Sequence, residues 1–170
     1  MPYATPALYL QHFGLTETAQ QLADEEQLLT ATLLQDAIAG TWTGTPSAAE
    51  QAAATAALAR LTRALEVQSN IIDGYLRGVV TLPLAAGDAN ASALEDCCLA
   101  LTRWSIADDD DNATERMAKA CDTWRAWLRD VAARRVQLVV SDGTPVAAVA
   151  GVRSGQAKSA YDWCKFGGVR

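Results

Sequence analysis

The stretch Ser47–Leu76, SAAEQAAATAALARLTRALEVQSNIIDGYL, decides the fold. Ser47 followed three residues later by Glu50 is a capping box: the hydroxyl accepts from the first turn while the carboxylate reaches back. Leu58, Leu61, Leu65, Ile72 and Tyr75/Leu76 then recur every three or four residues, an apolar stripe along a helix of about seven turns. Gly74 sits inside that pattern. A helical Gly costs about 1 kcal/mol relative to Ala, so its presence predicts close helix packing or a kink. Gly78 and Pro83 bracket the stop, leaving Val79–Leu82 as an extended connector.

Shorter helices are predicted on either side. Thr5-Pro6 reads as an N-cap followed by Pro in the first turn, opening a helix through Tyr9 that stops near Gly14. Thr16 is read as the cap of a second helix over Glu17 to Glu26. Residues 27–46 are ambiguous: Leu28, Leu29, Leu33, Leu34 and Ile38 suit a helix, whereas Gly40 to Pro46 is loop chemistry. Downstream of the long helix, Ser92 with Glu95 opens a helix whose stripe is Leu94, Cys97/Cys98, Leu101 and Trp104/Ser105. Asn112 with Glu115 opens another, striped by Met117, Ala120/Cys121, Trp124, Trp127/Leu128 and Val131.

After Arg135 the texture changes. Val136–Val140, a Ser141-Asp-Gly-Thr144 turn and Pro145–Val152 read as a strand, a turn and a second strand. Residues 153–160 are small and polar, and the end is rich in aromatics. The expected fold is therefore mainly α: a small bundle of one long and several shorter helices, with a C-terminal β-hairpin-like segment and an extended tail. The body spans 1–135 and the arm 136–170.

Composition agrees. The 34 alanines and only 6% aromatics among 170 residues favour closely packed helices over a β-sandwich. The net charge of −6 argues against a protein that grips many phosphates. It is unevenly spread: residues 135–170 hold five cations against two acids, a net +3, leaving −9 for the rest. No apolar run is long enough to span a bilayer, and the opening residues do not read as a signal peptide. A reducing, soluble compartment is expected, in which Cys97, Cys98, Cys121 and Cys164 are small core fillers rather than disulfides or ligands.

Chemistry-bearing motifs are scarce. There is no phosphate loop, dinucleotide fingerprint, zinc-protease motif or nucleophile elbow. His12, the sole histidine, reads as a surface or cap residue. Asp108–Asp111 lacks the alternation and the turn Gly of a calcium loop, and reads as a solvated turn before a helix N-terminus. No catalytic residue, metal site or cofactor is expected. The tail differs: Tyr161, Trp163 and Phe166 interleaved with Lys158, Lys165 and Arg170 are the residue types of interfaces, and suggest a docking arm for another chain, the alternative being that they fold back and cover the helices of their own subunit.

Several stretches resemble the small head-to-tail adaptor (connector) proteins of Mu-like tailed bacteriophages. These are Ile71-Ile-Asp-Gly-Tyr-Leu76 with the preceding Leu65-Glu-Val-Gln-Ser69, Val79-Val-Thr-Leu-Pro-Leu84, the opening Tyr3-Ala-Thr, the Cys97-Cys98 helix and the Trp124/Trp127 helix. The likeness covers roughly residues 2–12 and 56–135. Residues 24–46 are longer than the family pattern, and the tail matches in texture only. The resemblance implies a structural virion protein made in the host cytoplasm and placed at the virion neck, in a ring, expected to be dodecameric, below the portal protein. That ring would extend the DNA channel, touch passing DNA only transiently, and carry the next neck or tail-completion protein. Portal or neighbouring copies would be met by Lys158, Tyr161, Trp163, Lys165, Phe166 and Arg170. Candidate lumen acids are Glu25, Glu26, Asp108, Asp109, Asp110 and Asp111, since like charge keeps phosphates from sticking. The competing class is a small acidic helical regulator or DNA mimic that binds one protein partner.

Overall fold

A computed structural model describes residues 2–23, 26–84, 87–107 and 113–138. Among them are six helices and no strand: α1 (Pro6–Phe13), α2 (Leu15–Gln21), α3 (Ala31–Ala39), α4 (Ala48–Leu76), α5 (Ala91–Ile106) and α6 (Glu115–Ala132). The hairpin expected over 136–152 lies beyond the described residues except for its first three.

The long helix α4 is the spine because its start is fixed twice. Ser47 Oγ accepts from the Glu50 amide at 3.2 Å, and the Glu50 carboxylate accepts from the Ser47 amide at 2.7 Å. Those bonds hold the Glu50 carboxyl below its ordinary range. The helix contacts α3, α5 and α6 along its length and touches α1 near its end, where Gly78 follows and the Val79 and Val80 amides donate to Leu76 O. The buried stripe is Ala54, Ala57, Leu61, Leu65, Ile72 and Leu76, so the small alanines carry the first two turns of contact where Leu58 was expected.

The other partners of the core follow the same logic. α5 buries Leu94, Cys97, Cys98, Leu99 and Leu101, and α6 buries Met117, Cys121, Leu128 and Val131. Tyr9, Leu22 and Leu34 close the opposite side. Each large side chain so enclosed contributes roughly 1.5–3 kcal/mol by leaving water. Leu138 is also only 3% exposed and belongs to this core, so the core extends to non-helical chain past the last turn of α6.

Four local expectations are corrected. Gly14, at φ 89°, precedes α2 in place of Thr16, and α2 ends at Gln21, leaving Glu26 outside any helix. Asn90 precedes α5; its amide and side-chain amide both donate to Asp88 Oδ1 at 2.8 Å, so the Ser92–Glu95 box is not the start. Thr114 caps α6 by accepting from the Met117 amide, two residues after Asn112. Gly74 lies within the unbroken span of α4 and does not pack closely: a Cβ built there meets nothing within 4 Å.

The ambiguous stretch resolves into α3, capped by Thr30 and closed by Gly40 in the left-handed region at φ 71°. Loop chemistry beyond it is real, because the buried Asp36 carboxylate accepts from both the Thr43 amide (2.7 Å) and hydroxyl (3.0 Å). The Leu82–Pro83 bond is cis. No described helix is long and apolar enough to cross a membrane.

Candidate interaction site

Where α1 ends against α5 and α6, the described surface opens into a cavity of about 350 Å³. α5 lines it with Asp96, Ala100 and Arg103, spaced four and three residues apart and so on one face. α6 contributes Arg116, Met117, Ala120 and Trp124, and α1 closes the end with His12 and Phe13. Small alanines on both helices leave the space, and larger aromatic and charged groups rim it.

Arg103 is held in place by a relay. The Tyr9 hydroxyl donates to Gln21 Oε1 (3.3 Å), Gln21 Nε2 donates to Glu17 Oε1 (3.1 Å), and Glu17 ion-pairs with the Arg103 guanidinium. The guanidinium also lies 4.6 Å over the Phe13 ring, a cation–π contact. Phe13 is steadied in turn by Tyr9 and His12, with ring centroids 4.7 and 4.6 Å away. Burial pushes the Tyr9 phenol well above its ordinary range, so that relay stays neutral at Tyr9 through physiological pH. The Arg103 Nε is buried and has no partner among the described residues. Arg116 and Asp96 form no ion pair among them either, so the cavity wall carries unspent charge of both signs.

A second groove, of about 330 Å³, runs between α1 and α3 and is walled chiefly by Leu10, Leu15 and Ile38. Elsewhere Ile71 stands 43% exposed on α4 and Trp42 36% exposed on the loop after α3.

Three of the stretches that carry the family resemblance meet in space. The Tyr3 amide donates to Ser69 Oγ at 3.0 Å, and the Tyr3 hydroxyl donates to the Asp73 carboxylate. Ser69 Oγ also contacts the Cys98 thiol at 3.4 Å. Thus Tyr3, the Leu65–Leu76 run and the paired cysteines form one clamp that pins the chain's start across α4 and α5. Burial raises the Tyr3 phenol and the Cys98 thiol, and pushes the Cys97 thiol up to about 12. Cys97, Cys98 and Cys121 are buried, unbridged fillers, as their positions on the stripes imply.

Of the residues singled out in the sequence, Glu26 is exposed just beyond α2 and meets none of the cavity residues. Glu25, Asp108, Asp109, Asp110 and Asp111 lie outside the described residues, as do Lys158, Tyr161, Trp163, Lys165, Phe166 and Arg170. His12 sits at the exposed end of α1 as expected, yet on the rim of the cavity. Asp96, Arg103 and Arg116 escaped sequence reading. Their only signal is polar residues facing one groove from two helices, which requires knowing how α5 and α6 pair.

Among the described residues no group of three His, Cys, Asp or Glu could hold a metal ion. What the described chain defines is a small all-helical bundle with grooved, partly charged flanks. The chain belongs to the protein family described as Bacteriophage Mu, Gp36, which matches residues 3–155, and is therefore a Mu-like phage protein. That match takes in residues 24–46 and the stretch just after the helical body, both outside the resemblance read from the motifs. No curated protein matches the chain.

Proposed function

We propose that this protein is a head-to-tail adaptor: a structural virion component that forms a ring, of twelve copies, below the portal and carries the next neck or tail-completion protein. The observation that carries this reading is membership of a Mu phage family over residues 3–155. The motifs that resemble adaptors support it, because they are architectural: Tyr3, Ser69, Asp73 and Cys98 bond to one another and clamp the bundle. Charge supports it too. A body (1–135) at −8 suits a channel wall along which DNA must slide, and a +2 arm (136–170) suits an acidic portal surface or neighbouring subunit. The aromatic and basic residues Lys158, Tyr161, Trp163, Lys165, Phe166 and Arg170 are the proposed contacts, and Glu25, Glu26 and Asp108–Asp111 the proposed lumen acids.

Gold labelling of a tagged copy in purified virions tests the reading. Label at the head–tail junction is expected. Infectious particles that contain neither tagged nor untagged copies would reject the adaptor and favour an acidic regulator instead.

A further inference from the structure

We propose that the cavity between α1, α5 and α6 receives the Tyr161–Trp163 segment of the chain's own C-terminal region, storing the arm on the body. The cavity needs an occupant that is aromatic, anionic and cationic at once. Its floor and sides are Phe13, Met117 and Trp124; its unspent charges are Arg116 on one helix and Asp96 on the other. Tyr161-Asp162-Trp163 supplies two rings around one carboxylate, and Lys158 and Lys165 lie three residues before it and two after it. Asp162 complements Arg116, and a flanking Lys complements Asp96. A ring on Trp124 and Met117 gains the aromatic and sulfur contacts that such walls offer.

Reach and concentration favour the same chain over a neighbour. Leu138 is the last described residue, and α6 spans 18 residues, about 27 Å, back to the cavity. The 23 residues from Leu138 to Tyr161 extend to at most about 80 Å, so the segment can reach the cavity. A tethered ligand acts at an effective concentration of order millimolar, which a second molecule in dilute solution does not match. The segment also lies beyond residue 155, where the family match ends. It deepens the adaptor reading by giving the arm a resting place, but it is tested without particles.

The experiment uses the full chain in dilute solution. p-Benzoylphenylalanine replaces Tyr161, equal amounts of ¹⁴N- and ¹⁵N-labelled protein are mixed and irradiated, and cross-linked peptides are mapped by mass spectrometry. Same-isotope links to Met117, Ala120 or Trp124 are expected. Arg116→Glu, on an exposed side chain that should leave helicity unchanged, is expected to cut their yield at least fivefold. Adding Asp162→Arg should restore the yield to within twofold, which a merely structural role for Arg116 would not do. Links to other surfaces, mixed-isotope links, no links, or a charge swap without rescue each overturn the proposal. Absence of the protein from virions would instead overturn the adaptor reading and leave the latch standing.

Discussion

Replacing Gly74 by Ala should stabilise the isolated protein. The substitution adds one methyl to a helical residue whose surroundings are open to 4 Å, so no neighbour has to move. The backbone there is already fixed: Ile72 and Leu76 on either side are fully buried, and the Arg77 amide donates to Asp73 O at 2.9 Å. What remains is the conformational freedom that Gly loses on folding and Ala does not have to lose, about 0.5–1 kcal/mol. For a chain of this length that corresponds to a rise in Tm of about 1–4 °C. Thermal unfolding of both proteins followed by circular dichroism at 222 nm measures it. A fall in Tm would refute the reasoning, since only an unseen contact at Cβ or a non-helical backbone could produce it. A more stable protein that no longer enters virions would place a partner against that face of α4, beside the exposed Ile71.

Three further outcomes follow from particular contacts. A chain ending at Arg135 loses the burial of Leu138 and should be less stable than one ending at Leu138 by about 1.5–3 kcal/mol in denaturant titrations. Glu50→Ala should lower Tm by removing the carboxylate half of the α4 cap, and the difference from wild type should shrink on acidification. The sign follows from Glu50: its carboxyl is depressed in the folded state, so the stability it contributes is present above its ordinary pKa and fades as pH falls through the folded value. A difference that stays constant from pH 7 to pH 3 would count against the reciprocal cap. Finally, Cys97, Cys98 and Cys121 should resist alkylation at pH 8 in the folded protein and react fully in denaturant, because burial raises all three thiols. Tandem mass spectrometry, which fragments the tryptic peptide shared by Cys97 and Cys98, reads each site separately, and rapid native labelling of any of the three would show that the α5–α6 seam opens.

The sequence was most legible where a single local device dictates structure. Ser47 with Glu50, and Thr5 with Pro6, are recognisable because cap, spacing and following stripe all agree. Legibility failed where two candidates compete within a few residues. Asn90 and Ser92 both suit a helix start, and the outcome rests on Asp88 accepting both Asn90 N–H groups. Thr114 prevails over Asn112 in the same way, by reaching the Met117 amide. Gly74 misled because a helical Gly suggests a neighbour, and only the tertiary arrangement reveals that none is there among the described residues. The cavity was invisible for a stronger reason. Arg103 acquires its role from Glu17 and Phe13, 86 and 90 residues earlier in the chain, and no periodicity within α5 announces such a pairing.

The clamp made by Tyr3 has a consequence for the order of events at the ribosome. Its two partners, Ser69 and Asp73, lie 66 and 70 residues downstream. At synthesis rates of about 5–20 residues per second, the start of the chain waits roughly 4–14 s before Asp73 is even made. Cys98, which completes the cluster through Ser69, comes later still. Tyr3 is thus among the residues that cannot settle until α4 is complete and α5 has begun to form.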